Sequence, residues 1–241
     1  MSGHSKWATI KRKKASLDAK RGKLFTKLIK EISVAVRTGG SDLNGNPRLR
    51  LAYDNARGAN MPLDNIERAI KKAAGELDGA SYTEITYEGY GPGGVAVMIE
   101  SLTDNKNRTV AEVRHLLSKY GGSMGESGSV AWMFDRKGII TLPKQGKTED
   151  DLMEIVLDAG ADDLTTEDDF FEVASSIENF ETVRKALAEK NLTIDNASLQ
   201  WVAKNNITVT GEDAEKVMKL IEALEDSDDV QNVFSNADIT E

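Results

Sequence analysis

Apolar residues recur at helical spacing from Ser16 to about Thr38. At about 100° per residue, Leu17, Leu24, Phe25, Leu28, Ile32, Ala35 and Val36 share one broad face, and Lys20, Lys23, Lys27, Lys30 and Arg37 share the opposite one, with Arg21 the exception on the apolar side. Gly39-Gly40 ends this helix, because glycine takes up the left-handed backbone that closes a C-terminus. Asn44-Gly45 and Asn46-Pro47 signal a loop. A second helix is predicted from Arg48 to Ala59, burying Leu49, Leu51, Ala52 and Ala56. A third runs from Leu63 to Ala74 behind Pro62, with Leu63, Ile66, Ala69, Ile70 and Ala73 at spacings of three and four.

From Ser81 the period changes to two. Ile85-Thr86-Tyr87, the glycine-rich stretch Glu88 to Gly94 and Val95 to Ser101 predict strand, turn, strand. A polar loop, Thr103 to Asn107, precedes a helix from about Thr109 to Tyr120; Gly121 to Gly128 is glycine-rich, and Val130 to Phe134 is strand-like. Residues 138–203 form a complete unit. It comprises strand Ile139–Leu142, helix Glu149–Leu157, strands Asp163–Thr165 and Phe170–Ala174, helix Phe180–Ala188 and strand Leu199–Val202. The order βαββαβ is that of a ferredoxin-like split βαβ module. Ile207–Val209 (strand), Asp213–Leu224 (helix) and Val230–Phe234 (strand) then lack partners of their own, and the simplest arrangement pairs them with 81–134. The expected fold is therefore α+β with three domains. These are an N-terminal three-helix domain (1–80), a second α+β domain (81–135 plus 204–241), and a ferredoxin-like domain (136–203) inserted into the second.

Composition narrows the chemistry. None of the 241 residues is cysteine, which excludes disulfides, thiolate zinc sites and cysteine nucleophiles. The longest strictly apolar run is Val95 to Ile99, far short of the ~20 residues of a membrane span. The basic N-terminus lacks the apolar stretch of a secretory signal, so a cytoplasmic protein is expected. The net charge of −9 conceals a division: residues 1–80 hold 17 Lys/Arg and 8 Asp/Glu, whereas 81–241 hold 14 and 32. In residues 1–40, 11 Lys/Arg face only Asp18 and Glu31. Attraction is decided by the local field over a Debye length of about 8–10 Å, so an acidic average does not exclude a polyanion partner.

The basic arm and first helix are accordingly the candidate nucleic-acid surface: Lys6, Lys11, Arg12, Lys13 and Lys14 in the arm, with Trp7 to stack on a base or ribose, and Lys20, Lys23, Lys27, Lys30 and Arg37 along the helix. The competing reading is a solvated helix face with a charged tail. Lys106 and Arg108, just before a helix, are candidates for phosphate or sugar; equally, the loop supplies an N-cap at Asn107 or Thr109. Glu88 to Gly94 fails as a dinucleotide fingerprint because a strand follows the glycines where a helix N-terminus is needed. Gly121 to Gly128 is either a phosphate cradle or a helix C-cap running into a loop. His4 and His115 have no second ligand at a recognised spacing, and the carboxylate clusters, Glu225 to Asp229 among them, lie in helix first turns, in turns or after a helix. No nucleophile–base set or P-loop is present, so no catalytic residue, metal or cofactor is expected and the protein is not expected to be an enzyme.

Gly3 to Trp7, Asp18 to Lys23, Arg57 to Pro62, Ile85 to Gly94, Thr103 to Thr109 and Gly121 to Gly128 together resemble the YebC/PmpR family, over essentially the whole chain. The resemblance implies a three-domain α+β protein with a ferredoxin-like third domain inserted into the second. It also implies a cytoplasmic, DNA-binding transcriptional regulator. Relatives that include the mitochondrial translational activator of cytochrome c oxidase point instead to the ribosome and to translation of difficult nascent sequences. The expected function is thus a non-enzymatic regulator of gene expression that binds DNA. One alternative is a translation factor gripping ribosomal RNA or tRNA. It is favoured by the absence of a helix-turn-helix signature, by lysines that position rather than read bases, and by Trp7. The other is a protein–protein adaptor that uses the acidic domains. The expected partner is nucleic acid, with no membrane, no small-molecule substrate and a monomeric state.

Overall fold

The computed structural model describes residues 18–75 and 80–240, with side chains from residue 22 onward. Helix α1 spans Asp18–Gly39. Gly40, at φ +85°, closes it by donating to the Val36 carbonyl at 2.7 Å. Helix α2 spans Pro47–Gly58 and is capped by Asn46, whose side-chain oxygen accepts from the Leu49 N–H at 3.0 Å. The Asn46 amide nitrogen donates to the carbonyls of Ala35 and Gly40, both at 2.8 Å, so one buried side chain fixes the angle between α1 and α2. Helix α3, Leu63–Ala73, completes a bundle cored by Ile32, Val36, Leu49, Ala52, Ala56 and Ile66.

Strands β1 (Thr83–Tyr90) and β2 (Ala96–Thr103) form an antiparallel hairpin across a 3₁₀ turn in which Gly93 and Gly94 have φ of +68° and +77°. Helix α4 (Lys106–Lys119) and the short β3 (Ser123–Met124) follow. The chain then enters a second sheet through β4 (Phe134–Pro143), α5 (Glu149–Asp158), β5 (Asp163–Thr166), β6 (Phe170–Ser175), α6 (Ile177–Glu189) and β7 (Asn196–Ala203). Its strand order is β5-β6-β4-β7, antiparallel throughout. Ile140, Leu142, Phe171 and Val173 pack against Leu152, Val156, Phe180 and Val183 of α5 and α6.

The chain returns through β8 (Ile207–Val209), α7 (Gly211–Glu225), β9 (Val230–Ser235) and β10 (Ala237–Ile239). Strand β9 pairs with β2, giving the first sheet the order β3-β1-β2-β9. Helices α4 and α7 cover it through Val113, Leu117, Val217, Leu220, Ile221 and Leu224.

Three expectations need correction, and one strand was not expected. Residues 131–133 form a 3₁₀ turn, and β4 begins only at Phe134, because the N–H groups of Val130 and Ala131 bond to a buried carboxylate and not to a ladder. Helix α4 starts three residues earlier than its apolar pattern, since Asn105, neither Asn107 nor Thr109, accepts from the Arg108 N–H at 3.0 Å. Strand β8 does not join the first sheet; it pairs in parallel with β10. Strand β10 itself carries too short a pattern, three residues, to be recognised.

Candidate nucleic-acid interface

Lys23, Lys27 and Lys30 follow one another at spacings of four and three, so their ammonium groups project from one side of α1. That side meets the C-terminus of α7. The last carbonyls of a helix lack intrahelical partners and carry partial negative charge, and here Asp226, Asp228 and Asp229 follow at once. Lys23 Nζ donates to the Asp226 carbonyl at 3.0 Å and lies 2.8 Å from its carboxylate. Lys27 Nζ donates to the Glu225 carbonyl at 2.6 Å. Lys30 Nζ donates to the Asp228 carbonyl at 2.7 Å, the Leu102 carbonyl at 3.3 Å and Asp229 Oδ1 at 2.8 Å. The stripe expected to face phosphate is therefore, at these three positions, the cap of another helix. Lys30, with its side chain 8% exposed, is sealed inside the junction.

Asp229 organises that junction. Its Oδ2 accepts from Arg108 Nε at 3.1 Å and Nη2 at 2.7 Å, from Thr109 Oγ1 at 2.8 Å and from Thr103 Oγ1 at 3.2 Å. Burial pushes the carboxyl up, but the donors Lys30, Arg108 and Thr109 outweigh it and hold the pKa at about 2. Arg108, half exposed, also pairs with Asp104 at 2.8 Å, and hydrogen bonds to Asp229 and Asp104 hold its guanidinium above the ordinary range. Lys106 and Arg37 are exposed. Tyr82 senses both sides of the junction: burial, Asp104 and Asp229 raise its hydroxyl, and Arg37 counteracts them. The C-terminal end of α1 and the N-terminal end of α4 thus share one neighbourhood. Lys20 lies in α1, with its side chain outside the described residues, and Lys6, Trp7, Lys11, Arg12, Lys13 and Lys14 lie outside them altogether.

Of the glycine-rich stretch Gly121–Gly128 only Gly128 donates to an anion, and that anion is the chain's own; Gly121 and Gly122 close α4, donating to the Ser118 carbonyl at 3.2 Å and the Leu117 carbonyl at 2.8 Å. Glu88 accepts from Gly128 N and Val130 N, both at 2.7 Å, and from Ala131 N at 2.9 Å. Burial raises this carboxyl, and the three backbone donors lower it further still, to a net position below its usual range. Beside this turn Trp132 is 66% exposed, its Nε1 donating to the Ser129 carbonyl at 3.1 Å.

A cleft of about 1670 Å³ lies among the helical bundle and the two sheets, lined by Leu24, Arg48, Glu100, Glu172, Gln200 and Trp201 among others. Ion pairs line it: Arg48 bridges Glu31 and Glu84, and Arg136 meets Glu100. Outside the cleft, Arg184 of α6 reaches Asp54 of α2 at 2.7 Å. Trp201 Nε1 donates to Glu100 at 3.0 Å. Glu172, buried and near Glu167 and Asp163, has its carboxyl pushed up to about 7, chiefly by burial. Sequence reasoning places Glu225 to Asp229 after a helix and assigns them no role. Five consecutive acidic or small residues after a helix were the available signal. Among the described residues no group of three His, Asp or Glu is arranged to hold a metal, and no helix is long and apolar enough to cross a membrane.

Residues 5–76 match the family profile described as the TACO1/YebC protein N-terminal domain, and residues 82–237 match that of the TACO1/YebC second and third domain. A protein of Chlorobaculum parvum named a probable transcriptional regulatory protein is 59% identical over 242 aligned positions, covering 100% of this chain and 96% of its own. A Chloroherpeton thalassium protein of the same name is 57% identical, covering 100% and 97%. The crystal structure of a conserved hypothetical protein from Aquifex aeolicus is similar with a TM-score of 0.91 at 47% identity, covering 98% of each chain.

Proposed function

The chain belongs to the TACO1/YebC family, and on that premise we propose that it is a non-enzymatic regulator of gene expression that binds DNA in the cytoplasm. The names of its relatives support regulation of transcription. The observation that carries nucleic-acid binding is the charge of the first 21 residues, where Lys6, Lys11, Arg12, Lys13, Lys14, Lys20 and Arg21 face Asp18 alone. With Lys23, Lys27 and Lys30 engaged by α7 and Arg108 by Asp229 and Asp104, the phosphate contacts are assigned to this segment, with Arg37 and Lys106 as a second group. The three domains we propose are 1–80, 81–135 plus 204–241, and the ferredoxin-like 136–203; the break between the two profile matches supports the first boundary and the strand order β5-β6-β4-β7 supports the ferredoxin-like unit.

One observation favours a second reading. Helix α1 packs on both faces, so it is not shaped to enter a major groove as a recognition helix. A binder of structured RNA or of the ribosome needs phosphate grip without such a helix. Binding of the intact protein to duplex DNA, folded RNA and ribosomes across a salt series separates the readings. Preference for one operator over random duplex is expected for the transcriptional regulator, and preference for ribosomes or folded RNA would reassign it. Loss of residues 1–15 removes Lys6, Lys11, Arg12, Lys13 and Lys14, and is expected to lower the salt slope on duplex DNA by up to about 4.5. An unchanged slope would remove the arm from the interface.

A further inference from the structure

Among the described helices after residue 80, α4 alone carries more cations than acids. It holds Lys106, Arg108, Arg114 and Lys119 against Glu112. By contrast α5 has acids and no Lys or Arg, and in α6 and α7 the acids outnumber the cations. One side of α4 is taken up by the first sheet, where Thr109, Val113 and Leu117 are buried. At about 100° per residue, the opposite side presents Ala111, His115 and Ser118 along its middle, with Asn107 and Arg114 on one flank and Lys119 on the other. All six are exposed. Asn107, Arg114, His115 and Ser118 make no side-chain hydrogen bond or ion pair among the described residues. Glu112 lies at the margin of this side and is half-buried. The orientation of the helix is fixed at both ends. Arg108 and Thr109 tie its first turn to Asp229, and Gly122 closes its last.

We propose that this side of α4 enters the major groove of duplex DNA and reads bases there, an assignment that rests on the DNA-binding reading above and supplies the base-reading element that α1, packed on both faces, does not. From Asn107 to Ser118 the open side runs roughly 16 Å, about five base pairs of a duplex. Its side chains are of the kinds that tell base edges apart. An arginine fork fits O6 and N7 of guanine, an asparagine amide fits N6 and N7 of adenine, and an alanine methyl packs on the methyl of thymine. A serine hydroxyl or an imidazole nitrogen adds a single hydrogen bond. Ala111 and Ser118 are small, so they let the helix axis approach the groove floor. Lys119 on the flank and Lys106 at the end are point charges suited to the phosphates on either side of a groove. Arg108 is held by Asp229 and Asp104, so it positions the helix and reads nothing.

Selection by the intact protein from a library of random duplexes tests this, with binding constants then measured on the enriched sequence. The parent is expected to enrich a short motif that contains guanine. Arg114→Gln should lose about tenfold of the preference at one G·C pair, and Asn107→Ala should relax a separate A·T pair. Lys119→Gln should weaken all duplexes alike and lower the salt slope by about 0.9. All three side chains are exposed, so the urea midpoint should not move. A motif left unchanged by both Arg114→Gln and Asn107→Ala overturns the inference and leaves the DNA-binding regulator standing. Salt-dependent duplex binding that enriches no motif overturns base reading while keeping the phosphate grip. A protein that prefers folded RNA to every duplex, or binds neither, overturns the DNA reading and this assignment with it.

Discussion

Asp229 keeps its charge in a nearly dry site because donors from three elements reach it: Lys30 from α1, Arg108 and Thr109 from α4, and Thr103 from β2. Its carboxyl ionises at about 2 in the folded chain, against about 4 when unfolded. A depressed pKa stabilises the fold fully above pH ~4, and the contribution, about 2–3 kcal/mol, is lost as pH falls toward 2. Asp229→Asn is therefore expected to lower the urea midpoint at pH 6 and to approach the parent near pH 2.5; a constant gap between the two proteins would refute the assignment. The two lysines at the ends of the junction should differ sharply. Lys30→Met leaves Asp229 short of a buried partner, at a cost of about 3 kcal/mol. Lys23→Ala removes an exposed pair worth under ~1 kcal/mol. Comparable losses in denaturant unfolding would contradict the burial difference. Nothing in the linear pattern separates Lys23 from Lys30, since both occupy the same helical stripe; what separates them is how far each lies from the edge of the α7 contact.

At the scale of elements, the hydrophobic periods located the helices of the bundle, the β1–β2 hairpin and the βαββαβ series within a few residues. The departures occur where a side chain overrides the period. Asn105 starts α4 ahead of its first buried residue, Thr109. Asn105→Ala is expected to cost about 1 kcal/mol and to fray the first turn, visible as faster amide exchange at Arg108. Glu88 keeps residues 128–131 out of a strand by binding their N–H groups. Glu88→Gln retains one acceptor oxygen but loses the charge. It should raise exchange at Gly128, Val130 and Ala131 while leaving α5 and α6 unaffected; unchanged protection would mean that the turn is held by other contacts.

At the scale of the whole molecule, the chain's charge asymmetry is used twice. Part of the positive end, Lys23, Lys27 and Lys30, joins the bundle to the acidic end of α7. The part nearer the N-terminus is the one we propose for nucleic acid. Reversing charge at Lys23 and Lys27 should consequently loosen the bundle from the first sheet, seen as increased exchange in α1 and in residues 225–229. Reversal at Lys11 and Lys13 should change polyanion binding without that loosening. If both pairs acted alike on binding and exchange, the division between them would fall.

The sequence by itself determined most of the secondary elements, the α+β class and the concentration of cations before residue 40, because helical and strand periods and local charge are properties of neighbours along the chain. Only the tertiary structure decided which cations are exposed. The partners of Lys23, Lys27 and Lys30 around the end of α7 lie about two hundred residues away, and the sheet order that sets α7 against α1 follows from pairing β9 with β2. A helical period fixes the direction of a side chain relative to its own helix; what stands in that direction depends on long-range packing.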